Sequence, residues 1–215
     1  MIRATLARWR SLLKIRWLML FFAVSVLAIV TSLRFNAVTG RYADRTPGYP
    51  VPDLILDQLP VVDLEWLIVW GYLVLLAGAI VATLVYEPES FPFAVITVAL
   101  FITIRAGFVT LTHLAPPSDA AQPDFYFQIL NRISFSNDLF FSGHTGFPFL
   151  AFLLIRKRWV RYTFLASSIA MGAAVLFSHL HYSIDVFAAF FITYAIYKMS
   201  ERLFGRWRLQ APHEI

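Results

Sequence analysis

Residues 137–158 read NDLFFSGHTGFPFLAFLLIRKR, and the fold follows from how that stretch is understood. Its middle is apolar, its end is basic, and its mouth carries Asp138, Ser142, His144 and Thr145. Inside a bilayer each of those polar groups must find a partner or become costly, and ionisable ones generally serve function. The rest of the chain decides whether a bilayer is the setting. Of 215 residues, 59% are hydrophobic, 17% aromatic and only 14% charged, and mean hydropathy is +0.68. A water-soluble domain has too little interior to hide that much apolar surface, so the composition is that of a membrane protein.

A helix crosses the hydrocarbon in about 20 mainly apolar residues, and that ruler predicts six spans, roughly 17–33, 64–85, 91–113, 139–155, 160–178 and 183–200. They form one all-α polytopic transmembrane domain over 1–215. The first is longer than the apolar core of a signal peptide and no A-x-A-like cleavage site follows closely, so it is read as a retained helix. The connections 34–63 and 114–138, rich in Pro, Asp, Arg and aromatics, read as loops. Basic clusters set the orientation: Arg3, Arg8, Arg10, Lys14 and Arg16 in the segment 1–16; Arg156, Lys157, Arg158 and Arg161; and Lys198, Arg202, Arg206 and Arg208 around the tail 201–215. All three belong on the cytoplasmic side, which puts both termini there and both long loops outside. The turn YEPES, 86–90, is acidic yet falls on the same side.

With no cysteine, disulfides, thiolate metal sites and a thiol nucleophile are excluded. The formal charge of +5 sits beside apolar segments, where anionic headgroups are the natural partner, so nucleic-acid binding is discarded. Trp66, Trp70, Tyr72, Tyr86, Trp159 and Tyr162 read as interfacial anchors. Gly71, Ala77, Gly78 and Ala79, and Gly172, Ala173 and Ala174, read as sites of close helix packing.

The predicted topology brings the histidines together. His144 lies about one turn into the fourth span, while SHLHYSIDVF, 178–187, puts His179 and His181 at the same membrane face with Asp185 four residues deeper. His181 and Asp185 share a helix face, so the carboxylate can bind one ring nitrogen and leave the other for chemistry. The same two residues also fit a buried hydrogen-bonded pair with no further role. Arg105, in the outer half of the third span, suits either a phosphate clamp or a partner for a carboxylate such as Asp138. Ser142 suits a helix cap or a phosphate contact; no G-x-S-x-G elbow surrounds it. His113 fits a structural place as well as a site, and His213 lies on the opposite side.

DLFFSGHT at 138–145 followed by HYSIDV at 181–186 resembles the paired signatures of the sphingomyelin synthase family, a branch of the type 2 phosphatidic acid phosphatase superfamily. PVPDLILD at 50–57 is similar to that family's first-loop element, and IRAGFVTLTHLAPP at 104–117 to the stretch ending its third helix. By this resemblance His144, His181 and Asp185 correspond to the catalytic triad, with Asp138 six residues before the first histidine and His179 two before the second. Asp53 and Asp57 fall on the loop element. THLAPP departs from the family's Thr-Thr-Leu-Pro-x-Pro, and an additional family glutamate has no clear counterpart, Asp119 and Asp124 being the nearest substitutes. The arginine that ordinary lipid phosphatases place six residues before the nucleophile is Val175 here.

The resemblance implies transfer of a phospho-headgroup from phosphatidylcholine or phosphatidylethanolamine to a ceramide-like alcohol, releasing diacylglycerol through a phospho-histidine on His181, with no cofactor. Water as acceptor would make the same machinery a phospholipase C or lipid phosphatase. A metal is not required, although His144, His179, His181 and Asp185 contain a possible zinc set. A proton-coupled transporter with a His/Asp relay is opposed by the clustering of polar groups at one face, and an inactive scaffold by the intact triad. Short length, no cysteine and no Asn-x-Ser/Thr site favour a bacterial plasma membrane with the site outside.

Overall fold

A computed structural model describes residues 2–46, 48–118 and 139–208. Among them the chain is all-α: α1 (Ile2–Leu12), α2 (Arg16–Arg45), α3 (Glu65–Tyr86), α4 (Phe91–Leu111), α5 (Gly143–Leu154), α6 (Arg158–Phe177) and α7 (Ser183–Phe204), with short 3-10 turns at Leu56–Gln58, Pro88–Ser90 and Gly205–Trp207. Among the described residues four helices are long and apolar enough to cross a membrane: Arg16–Arg45, Glu65–Tyr86, Pro88–Leu111 and Arg158–Phe177. The chain is an all-α integral membrane protein.

α2 is inside-out by the standards of a soluble helix. Its buried positions Leu18, Ser25, Ser32 and Thr39 recur every seven residues, while Leu20 and Leu27 are 68% and 67% exposed. Small residues on the seam let α2 lie close along α4, and large apolar ones face lipid. The seam hydroxyls return to their own helix, Ser25 Oγ to the Phe21 carbonyl at 2.8 Å and Thr39 Oγ1 to that of Phe35 at 3.1 Å, so none is left without a partner.

Behind this pair, α5 packs between α6 and α7. Phe93 and Phe101 of α4, Leu150 of α5 and Ile196 of α7 make one apolar cluster. Ala79 of α3, Phe147 of α5 and Phe164 of α6 make a second. Glycines set two of the crossings. A Cβ on Gly172 would stand 3.0 Å from Val186 Cγ1 and 3.3 Å from Thr145 Oγ1, and one on Gly146 2.9 Å from Thr193 Oγ1. The small residues of α3 do less, for a Cβ on Gly71 or Gly78 would find ordinary contact at 3.6–3.8 Å.

Three boundaries differ from the sequence reading. The expected loop 34–63 begins only after Arg45, because RFNAVTGRYADR is polar without being helix-breaking, and the first proline beyond it is Pro47. Polarity there marks exit from hydrocarbon rather than the end of the helix. The expected span 139–155 is helical only over Gly143–Leu154, 12 residues or about 18 Å. The basic N-terminal segment is itself largely helix, as α1.

The acidic turn finds its place at the basic end of the bundle. Arg8 of α1 pairs with Glu89, Nε to Oε1 at 2.8 Å, and the Arg156 N–H donates to Glu87 Oε1 at 2.9 Å. Arg208 reaches Ser90 Oγ at 3.1 Å and the Leu154 carbonyl at 3.2 Å. The N-terminal helix, the YEPES turn, the 155–157 connection and Arg208 therefore share one end, and the histidines occupy the other.

Candidate active site

Three helix ends meet at the histidine end, tied by main-chain atoms. Ser142 N–H donates to the Asp185 carbonyl at 3.0 Å, which fixes the start of α5 against the first turn of α7. Arg105 of α4 donates from Nε to the Phe141 carbonyl at 2.9 Å, and its guanidinium flanks Gly143, where a Cβ would lie 3.4 Å from Nε. Ser168 Oγ of α6 donates to the Thr145 carbonyl at 2.7 Å. Pro148 offers no N–H to the carbonyl of His144, four residues before it in α5. Four helices thus fix the frame around His144.

Within that frame the rings of His144 and His181 stand 5.9 Å apart, centroid to centroid, at 63°. His181 is 4% exposed and Asp185 is fully buried. A carboxylate only accepts, so His181 donates from Nδ1–H to Asp185 Oδ2 at 3.3 Å, which leaves Nε2 with its lone pair. The same Oδ2 accepts the Tyr182 N–H at 3.0 Å and so caps α7. Asp185 Oδ1 and His144 Nδ1 are buried with no hydrogen-bond partner among the described residues.

The remaining sequence candidates separate. His179 is bound to the loop before α3: its backbone is left-handed, φ 50°, and Nε2–H donates to the Leu59 carbonyl at 3.2 Å. A left-handed non-glycine residue is strained unless its surroundings hold it, and here the ring bond does so. Ser142 occupies the N-cap position of α5 yet makes no side-chain capping bond; its buried Oγ accepts from Thr145 Oγ1 at 3.4 Å. The capping role read for Ser142 is therefore not what its hydroxyl does. Asp53 is buried beside α7, accepting Ser183 N–H at 2.6 Å and Ser183 Oγ at 2.8 Å. Burial opposes ionisation of Asp53, but hydrogen bonds from Leu56, from the backbone and hydroxyl of Ser183 and from Ile55 hold its carboxyl below the ordinary aspartate value. Asp57 buttresses it, receiving the Asp53 N–H at 3.3 Å. His113 packs on Tyr42 with ring centroids 5.7 Å apart. Asp138, Asp119, Asp124 and His213 lie outside the described residues. Among the described residues no three His, Cys, Asp or Glu side chains converge as a metal-binding group.

Two neighbours of the pair escaped the sequence reading. Tyr72, read as an interfacial anchor, stands against His144 with ring centroids 4.8 Å apart. Its place two turns inside α3 was the available signal, being too deep for an anchor. Tyr182, 1% exposed, donates its hydroxyl proton to the Ala115 carbonyl at 2.8 Å and accepts the Val51 N–H at 3.2 Å.

Fold and site together define an integral membrane protein with a paired-histidine centre at one end of its helices, one histidine backed by a buried aspartate. Residues 136–202 match the family described as PAP2 superfamily C-terminal, a stretch that includes His144, His181 and Asp185. The match covers about a third of the chain and supports a place in the type 2 phosphatidic acid phosphatase superfamily. No curated protein and no solved structure matches the chain significantly.

Proposed function

We propose that the protein is a membrane phosphotransferase that moves a phospho-headgroup from a glycerophospholipid to a ceramide-like alcohol. The observation that carries the chemistry is the His181–Asp185 bond beside His144, within a segment matching the PAP2 superfamily. His181 Nε2 attacks phosphorus, a nitrogen–phosphorus bond forms, and the bond from phosphorus to the diacylglycerol oxygen breaks. His144 gives that oxygen its proton. In the second half His144 takes the proton of the acceptor hydroxyl, the acceptor oxygen bonds to phosphorus, and His181 is released. Asp185 stabilises the imidazolium throughout. His144 Nδ1, buried and unpartnered among the described residues, suits a group that must exchange a proton with substrate.

Arg105 and the opening turn of α5 flank the position of the phosphate, where a cation and helix N–H groups favour an anion. The positive-inside rule supports a cytoplasmic place for the basic end, and with it a site on the periplasmic or external face of a bacterial plasma membrane. The donor headgroup is choline or ethanolamine phosphate. Water as acceptor gives phospholipase C or phosphatase activity from the same intermediate, and the superfamily match favours this second reading equally. Purified protein incubated with labelled phosphatidylcholine or phosphatidylethanolamine, with and without ceramide, separates them. Labelled sphingolipid formed only with ceramide supports transfer. Free headgroup phosphate released regardless of ceramide establishes hydrolysis, and no lipid product at all rejects both.

A further inference from the structure

The loop between α2 and α3 holds the histidine turn almost residue by residue. Val62 N–H donates to the Phe177 carbonyl at 2.7 Å. Ser178 Oγ lies 3.0 Å from the Val62 carbonyl and 3.2 Å from Leu64 N. His179 binds the Leu59 carbonyl, the Tyr182 hydroxyl takes the Val51 N–H, and Ser183 is gripped by Asp53. Of the stretch 177–183 only Leu180 and His181 have no hydrogen bond to this loop in the contacts described, and His181 is instead bound to Asp185.

We infer that residues 51–64 are a positioning strap for the His181–Asp185 pair, with Asp53 and the Tyr182 hydroxyl as its positioning residues, and that Asp53 does not bind the headgroup. The inference rests on the reading of His181 as nucleophile. An ionised carboxylate has about four lone-pair sites. Asp53 accepts four donors: Oδ1 takes Ser183 Oγ at 2.8 Å and Ile55 N and Leu56 N at 3.0 Å each, and Oδ2 takes Ser183 N at 2.6 Å. Asp53 is also only 7% exposed, so its carboxylate is turned to these donors rather than to a choline or ammonium group. One carboxylate therefore folds its own loop into a turn and clamps that turn to the first residue of α7, two residues before Asp185.

Tyr182 extends the strap to a second loop. Its ring is buried with Leu56 and Leu139, and its hydroxyl joins Val51 to Ala115, at the far side of α4. Its own N–H is the one that Asp185 Oδ2 receives. A shift of the strap thus moves Tyr182 and Ser183, two of the three residues between nucleophile and aspartate. Positioning errors of an ångström or less change reaction rates strongly while leaving binding nearly intact.

The test is a mutant cycle on the full-length protein in mixed micelles. Asp53→Asn keeps the size but turns amide hydrogens toward Ser183, and Ser183→Ala removes the hydroxyl. Asp53→Asn should lower kcat about tenfold to hundredfold with KM for the lipid donor within about twofold. The double variant should be no slower than Asp53→Asn alone, and Asp53→Glu should recover part of the loss. Tyr182→Phe should lower kcat while preserving the packed ring. A raised KM with altered preference between choline and ethanolamine donors would make Asp53 a headgroup ligand and overturn the strap. Unchanged kcat with only a lower melting temperature would overturn it in favour of simple stabilisation. Hydrogen exchange at the Ser183 amide separates this from the function reading, because it needs no activity: it should quicken at least about tenfold in Asp53→Asn. Unchanged exchange rejects the strap even if the enzyme is active, whereas quickened exchange in Asp53→Asn together with a wild type that turns over no lipid rejects only the reaction.

Discussion

Oδ2 of Asp185 serves two donors at once, His181 Nδ1 at 3.3 Å and the Tyr182 N–H at 3.0 Å, so one oxygen both orients the imidazole and starts the helix that follows it. Asp185→Asn separates the two duties. The amide oxygen still accepts both bonds, so α7 keeps its start, but the negative charge beside the imidazolium is gone. We expect helical content and thermal stability close to wild type and kcat lower by about a thousandfold to ten-thousandfold, the scale seen for the analogous aspartate of serine proteases. Steady-state turnover with circular dichroism on the same sample checks it. Loss of helix along with activity would assign Asp185 to folding.

The two histidines should fail differently. His181→Ala removes the atom that holds the headgroup, so it abolishes turnover and any acid-labile phosphoryl-enzyme on every donor. His144→Ala removes a proton donor, so a nitrophenyl phosphodiester, whose leaving group departs without protonation, should recover much of the first step. Trapping experiments with labelled donor check both. Equal, unrescued losses on the activated donor would take the acid role away from His144.

Gly172 has no room for a methyl group, since a Cβ would meet Val186 Cγ1 at 3.0 Å and Thr145 Oγ1 at 3.3 Å, on the helices that carry Asp185 and His144. Gly172→Ala should destabilise the protein by about 1–3 kcal/mol, the usual cost of overpacking. Adding Val186→Ala makes space and should return most of the loss. Melting of the detergent-solubilised variants measures this, and additive losses in the pair would show that the contact is not the cause.

The parts of this picture that the sequence exposes are those with a periodic or charged signature. Apolar runs locate the long helices, and Lys and Arg clusters group the turns at one end, which is enough to bring His144 within reach of His181. The extension of α2 to Arg45 is hidden because leaving hydrocarbon and ending a helix look alike in composition. The roles of Tyr72 and His179 are hidden for another reason. An aromatic ring or a histidine near a membrane interface has the same local sequence whether it faces lipid, a catalytic ring or a loop carbonyl. Only the crossing angles of α3, α5 and α6, set by side chains far apart in the chain, decide among these. Asp53 is the sharpest case: its motif spacing is visible, but whether it faces a ligand or Ser183 depends on a residue 130 positions away.

Acid should loosen the strap. The Asp53 carboxyl is held below its ordinary value of 3.8 in the folded protein, so its contribution to stability is complete above that pH and is lost as pH falls through the lower folded value. Pepsin, active in acid, can report this through cleavage beside Leu54, which is 87% exposed. Wild type should be cleaved more slowly than Asp53→Asn at pH about 4, and the difference should shrink as the pH falls further, since the asparagine cannot titrate. Parallel curves across that range would mean the carboxylate charge contributes nothing to the strap.

Orientation of the site is decided by two cysteines. The chain has none of its own, so single introduced thiols report without background. Ser118 follows α4 at the histidine end and is exposed; Lys157 sits in the basic turn between α5 and α6 and is also exposed. Basic clusters stay on the side from which a membrane protein is inserted, so Lys157→Cys should be silent to an impermeant maleimide in intact cells and react only after lysis. Ser118→Cys should react in intact cells. The buried Glu87 and Glu89 do not weaken this expectation, because the Arg156 N–H and Arg8 compensate them within the same end. The reverse labelling pattern would place His144 and His181 in the cytoplasm, and the donor lipid would then have to come from the inner leaflet.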